Sequence, residues 1–152
     1  ACFDTNPGGT TDNLFALSRK AQGVFICRGG TMELKKLNGL FSVCKVEDYS
    51  AVDWTSTYCF VGKTDEENSL VCLTKDVPDN TIQREDGWRA FRIQGVLDFS
   101  LVGMLAGLSA LLAENQIGIF AISTYNTDYI LTKADDYSRA MEVLSNAGYQ
   151  IV

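Results

Sequence analysis

The strongest constraint on the fold lies between Trp88 and Val152, where hydrophobic spacing switches from strand to helix period and back, twice over. Trp88-Arg89-Ala90-Phe91-Arg92-Ile93 alternates as a strand. Leu101, Met104, Leu105, Leu108, Leu111 and Leu112 recur at helical spacing, and Asp98 or Ser100 is the expected N-cap. Residues 117–124 read as a buried strand, 125–128 as a turn and 129–132 as a returning strand. Asp135 or Asp136 is expected to cap a second helix, with Tyr137, Ala140, Met141 and Leu144 as its apolar face. Asn146-Ala147-Gly148 stops that helix, and 149–152 is a final short strand. The order β-α-β-β-α-β is the ferredoxin-like one and predicts an α+β fold. Gly103 and Gly107 stand one turn apart in the first helix. Glycine costs about 1 kcal/mol against alanine in a helix interior, so close packing of that helix on the sheet is expected.

The upstream half repeats the plan faintly. Phe41-Ser42-Val43-Cys44-Lys45-Val46 alternates as a strand, 51–54 is a short helical or turn connection, and 58–62 and 70–73 are two more strands joined by a hairpin turn over 63–69. Val77-Pro78-Asp79-Asn80 begins a loop, because proline cannot serve an interior strand. The hairpin over 60–76 ends Leu73-Thr74-Lys75, and that over 120–135 ends Leu131-Thr132-Lys133. Two ferredoxin-like modules are therefore expected side by side, sharing sheet edges. The first, 38–86, is degenerate with shortened helices, and the second, 87–152, is complete.

Residues 1–31 read differently. Asn6-Pro7-Gly8-Gly9 is loop composition, and Phe15 to Cys27 shows no sustained period. Arg28-Gly29-Gly30 just before Met32 is what a purine-rich ribosome-binding site yields when translated in frame. The segment is either such a leader, with Met32 the natural start, or a genuine extension with a Gly-Gly turn. In both cases it is expected to stand outside the fold.

Composition narrows the function classes. The formal net charge of −6 argues against a nucleic-acid footprint and gives no reason to sit on an anionic membrane. No apolar run reaches transmembrane length; 101–112 is too short. There is no histidine. That excludes a Ser-His-Asp or Cys-His nucleophilic site and any His-ligated metal. The five cysteines are odd in number and lack a Cys-x-x-Cys pair. Reduced, buried thiols in a cytoplasmic protein are expected, with no cofactor and no metal.

The run Gly87-Trp88-Arg89-Ala90-Phe91-Arg92-Ile93-Gln94-Gly95-Val96-Leu97-Asp98-Phe99-Ser100 resembles the opening of a bacterial family of small ACT-domain proteins. Ile119-Phe120-Ala121-Ile122-Ser123-Thr124-Tyr125-Asn126-Thr127-Asp128-Tyr129-Ile130-Leu131 is similar to that family's most recognisable motif. The resemblance covers roughly 40–152. The same subtype of tandem ACT modules occurs in the CASTOR arginine sensors of animals. It implies an amino-acid-binding regulatory module, with the ligand at the interface between ACT modules. Carried over position by position, the ligand-facing residues are Gly95, Asp98, Phe99 and Ser100 before the helix, and Tyr125, Asn126, Thr127 and Asp128 in the hairpin turn. Names borrowed from aspartate kinase among such proteins would refer to regulatory ACT regions, since this chain has neither a phosphate loop nor room for a kinase domain.

The chemistry of these positions suits an amino acid. Free N–H groups at a helix start favour a carboxylate, Asp98 or Asp128 pairs with an ammonium, and Gly95 permits close approach. A cationic side chain would suit the acidic lining. Each residue also has a plainer role: Asp98 as an N-cap, Asn126 and Asp128 as turn formers, Gly95 as a loop glycine, and Tyr125 as a half-buried aromatic. Trp88 and Phe91 read as core. The competing function is a ligand-free interaction or dimerisation module, because ACT sheets pair edge to edge. The leader reading predicts that intact mass of the natively expressed protein starts at Met32; a native chain retaining residues 1–31 would establish the extension.

Overall fold

The computed structural model of the chain describes residues 32–94 and 103–152. Among the described residues, eight strands form one sheet: β1 (Glu33–Lys36), β2 (Phe41–Val46), β3 (Cys59–Lys63), β4 (Asn68–Leu73), β5 (Thr81–Ile93), β6 (Ile119–Ser123), β7 (Asp128–Lys133) and β8 (Gln150–Ile151). Among the described residues there are two α-helices, α1 (Met104–Glu114) and α2 (Ala134–Asn146), and one 3-10 turn, Thr74–Asp76.

The long strand β5 organises everything else. Its first half pairs antiparallel with β2, from Val46↔Thr81 to Phe41↔Trp88. Its second half pairs with β7, from Trp88↔Lys133 to Arg92↔Tyr129. Lys36↔Phe91 and Leu34↔Ile93 place β1 in line with β2 along the other edge. The first unit therefore has the strand order β3-β4-β2-β5, the ferredoxin-like order with β2, β3, β4 and β5 as its four strands. The second unit uses β5, β6, β7 and β8 in the same roles. One strand is the last of the first unit and the first of the second, and the expected division at residue 86 falls inside it. The second unit has one addition: β1 stands between β5 and β8, antiparallel to the former and parallel to the latter.

The hairpins repeat in register, sixty residues apart. Cys59↔Cys72 answers Ile119↔Thr132, and Lys63↔Asn68 answers Ser123↔Asp128. Both turns close the same way: the Thr64 N–H donates to the Glu67 carbonyl at 3.0 Å, and the Thr124 N–H to the Thr127 carbonyl at 2.9 Å. Phe60 thus matches Phe120 and Thr64 matches Thr124. The Leu-Thr-Lys triplets that suggest the repeat are two positions out of this register, a shift that preserves the strand face.

The sheet folds back on itself. A flat sheet would hold β3 and β7 four strand spacings apart, about 19 Å, yet the Phe60 and Tyr129 rings lie 4.9 Å apart. The bend coincides with a bulge: between Phe41↔Trp88 and Val43↔Glu85, β5 spends one residue more than β2. Gly87 takes φ +80° there, as a glycine bulge requires. Ser42, fully buried, donates from Oγ to Asp86 Oδ1 at 2.5 Å and shares a 2.9 Å hydrogen bond with Thr74. From the other side, Lys133 Nζ donates to Glu85 Oε1 at 2.6 Å and sits 4.2 Å over the Trp88 ring.

Three apolar clusters follow from this layering. Phe91, Ile93 and Ile130 on the sheet, with Leu108, Leu112, Tyr137, Ala140 and Leu144 on the helices, form the core under α1 and α2. Phe41 and Val71 of the first unit meet Ala90 and Leu131 of the second between the folded halves. Cys44, Val46, Leu70 and Cys72 lie on the outer face of the first unit, covered by Val52, Tyr49 and Val77 from loops in place of helices. Cys44, Cys59 and Cys72 are free thiols; Cys44 and Cys72 are buried, as expected, and Cys59 is half-buried. The thiol–thiol hydrogen bond between Cys72 and Cys44 pushes the Cys72 thiol up and holds the Cys44 thiol below its usual range.

Three local expectations need correction. The N-cap of α1 is Gly103 at φ +90°, with no side-chain cap; Asp98 and Ser100 lie outside the described residues. Lys133 occupies the N-cap of α2, so Asp135 and Asp136 stand in its first turn and favour the helix through its dipole. A Cβ built on Gly107 would meet nothing within 4 Å, so close packing does not require that glycine. Gly107→Ala is accordingly expected to stabilise the protein by up to about 1 kcal/mol in denaturant unfolding.

Candidate functional site

The β6–β7 turn is the described half of the predicted site. Thr124 Oγ1 donates to the Thr127 carbonyl at 2.8 Å, which reinforces the backbone closure of the turn. Thr127 is 6% exposed, and its Oγ1 donates to the Ile93 carbonyl at 2.7 Å. That bond fastens the turn to the end of β5, two residues before Gly95. Asp128 Oδ1 accepts from Ser123 Oγ at 2.5 Å across the first pair of the hairpin. Asn126 is exposed. Tyr125 is 82% exposed, so it is not the half-buried aromatic of the plainer reading. Gly95, Asp98, Phe99 and Ser100 lie outside the described residues.

Sequence reasoning named Thr127 as ligand-facing, but in the structure its hydroxyl serves the backbone. Arg92 was not singled out. Its Nη1 donates to the Tyr129 hydroxyl at 3.4 Å, on the face that meets the first unit. A cation inside an otherwise alternating strand was the available signal. Trp88 packs against Phe120 at 6.2 Å and belongs to the inter-unit cluster, and Phe91 is fully buried beneath the helices. Both read correctly as core.

In the first unit the loop after β2 meets the start of β4, where Asn68 Nδ2 donates to the Glu47 carbonyl at 2.8 Å. The tripeptide Asp48-Tyr49-Ser50 matches Asp98-Phe99-Ser100 in residue type. Asp48 Oδ1 accepts from the Ser50 N–H at 2.8 Å and from the Ser50 hydroxyl. Those bonds hold its carboxyl below the usual carboxylate range. At the bulge, Ser42 and then Arg84 do the same for Asp86. No group of three or more metal-ligating side chains occurs among the described residues.

Comparison with known proteins follows the same lines. Residues 83–146 match the sequence model of the ACT domain, from the first half of β5 to the last residue of α2. The chain carries an ACT domain. A solved protein of Agrobacterium tumefaciens is 28% identical, with a TM-score of 0.71 over 82% of this chain and 94% of that one. A Vibrio cholerae protein, described as a possible transport protein, is 18% identical with a TM-score of 0.60 over 78% and 91%. The regulatory subunit of Thermus thermophilus aspartate kinase shares the ACT-domain fold at 10% identity, with a TM-score of 0.52 over 77% and 97%. No protein of curated function matches the chain in sequence.

The turn's attachment is open to direct test. Thr127→Val keeps the side chain's shape but leaves the Ile93 carbonyl without its donor. A buried acceptor so orphaned costs about 1–3 kcal/mol, expected as a lower midpoint in denaturant unfolding.

Proposed function

We propose that the chain is an amino-acid-binding regulatory module, and not an enzyme. Its ligand sits between ACT units, where the β6–β7 turn meets the end of β5. The observation that supports this most is the Thr127–Ile93 hydrogen bond. It puts Tyr125, Asn126 and Asp128 at the same corner of the fold as the strand end leading to Gly95, Asp98, Phe99 and Ser100. An α-ammonium is a fit for Asp98 or Asp128. An α-carboxylate is a fit for the first-turn N–H groups of α1, which have no partners within the helix. A cationic amino acid such as arginine suits the two carboxylates. The likeness to an aspartate kinase regulatory subunit agrees with a regulatory role. We place the protein in the cytoplasm on its free thiols. No helix among the described residues is long and apolar enough to cross a membrane.

A second reading, assembly through a sheet edge, rests on β5. Opposite β2, its residues 82–86 have no strand partner among the described residues, and Ile82 is 57% exposed. Such an edge accepts a strand from another copy. A thermal-shift screen against the common amino acids separates the two. A ligand at a hundred times its dissociation constant adds about 2.7 kcal/mol of stability. At least one amino acid is expected to raise the melting midpoint. No shift with any of them, together with a concentration-dependent dimer by sedimentation, would select the assembly reading.

A further inference from the structure

The three cysteines among the described residues lie together on the outer face of the first unit. Cys59 of β3 stands directly opposite Cys72 of β4, and Cys72 stands opposite Ser42, two residues before Cys44 on β2. Cys44 and Cys72 are buried; Cys59 is half-buried, on a strand that pairs only with β4 among the described residues. The register of the repeat sets Cys44, Cys59 and Cys72 against Phe91, Ile119 and Thr132 of the second unit. Phe91 and Ile119 pack into the core under the helices. The sulfurs of the first unit lie instead under Tyr49, Val52 and Val77, which come from loops. A loop cover opens more readily than packed helices do.

Strand geometry decides which two sulfurs can join. Directly opposed residues of an antiparallel pair have Cα atoms about 4.5–5.5 Å apart, inside the span of about 4.4–6.8 Å that a disulfide bridges. Diagonal neighbours such as Cys44 and Cys72 stand about 7–8 Å apart, too far to bridge without backbone movement. Opposed Cβ atoms start about 4.5–5.5 Å apart and must close to roughly 4 Å. That is a small step for the edge strand β3. Cys44 has another part: the Cys72 thiol donates a hydrogen bond to it.

We propose that Cys59 and Cys72 form a reversible disulfide that staples the hairpin of the first unit when the surroundings turn oxidising. The oxidant is a hydroperoxide. The Cys59 thiolate attacks its O–O bond; the sulfur becomes a sulfenic acid, and the other oxygen leaves and takes up a proton as water or an alcohol. Cys72 then attacks the Cys59 sulfur. The S–S bond forms, the S–O bond breaks, and the Cys72 proton leaves with that oxygen as water. Two equivalents of a small thiol reverse the bridge and are themselves oxidised to a disulfide. Burial pushes the Cys59 thiol up, so its thiolate is scarce at neutral pH and the first step is slow there. The device therefore answers sustained oxidation. Phe60, the next residue of β3, holds its ring 4.9 Å from Tyr129, so the staple fixes the strand that bears this contact between the units.

Exposing the reduced full chain to hydrogen peroxide tests the proposal. Trypsin cuts after Lys45, Lys63 and Lys75, which puts Cys44, Cys59 and Cys72 on separate peptides. With the remaining thiols blocked, mass spectrometry is expected to find the Cys59 and Cys72 peptides joined, and dithiothreitol to part them. The rate of joining is expected to rise about tenfold per pH unit above neutral, as the thiolate fraction does. The joined form is expected to melt higher than the reduced one, a rise absent when Cys59→Ser is treated alike. A Cys44–Cys72 linkage, a sulfinic acid at Cys59 with no bridge, or no bridge after prolonged exposure at alkaline pH would each overturn the proposal. So would a joined form that melts no higher than the reduced chain.

Discussion

The fold depends on a single strand serving two units. β5 gives its first half to β2 and its second half to β7 and β1. Its bulge at Gly87 turns the sheet back so that the halves meet. The polar groups around that bulge are matched: on one side Ser42 bonds both Asp86 and Thr74, and on the other Lys133 bonds Glu85 and the Asp86 carbonyl. Without the bend, the apolar faces of the two units would lie open, and among the described residues no second layer of helices covers that side.

From this shared strand, the two units have diverged in how they cover the remaining face. The second uses α1 and α2. The first uses loops, and it must close them with side-chain hydrogen bonds where helix packing is missing. Asn68, Asn80 and Tyr49 supply those bonds. Each of these bonds ties a loop to a strand or to another loop across the outer face of the first unit.

Much of this was legible in the sequence because it is written in side-chain periodicity. Phe41 to Val46 alternates strongly, and α2 buries the Tyr137, Ala140 and Leu144 stripe that its spacing announces. The hidden elements are those whose partners, not their own side chains, make them strands. β1 has one residue, Leu34, fully buried among charged neighbours. The first half of β5, through Gln83, Arg84, Glu85 and Asp86, lies exposed and shows no apolar alternation. Turn composition pointed to 125–128, but nothing local shows that the Thr127 hydroxyl reaches Ile93. That contact joins residues far apart in the chain, as do Asn68 to Glu47 and Asn80 to Asp48.

The strand inserted between β5 and β8 has a consequence for how the protein assembles in time. β8 is two residues long and pairs with β1, whose partner register is Glu33↔Gln150 and Leu34↔Ile151. Such a contact must close nearly the whole described chain into a loop, at an entropic cost that grows with loop length. It is therefore the seam expected to zip last during folding. In hydrogen exchange it is also the margin where native-state opening would begin.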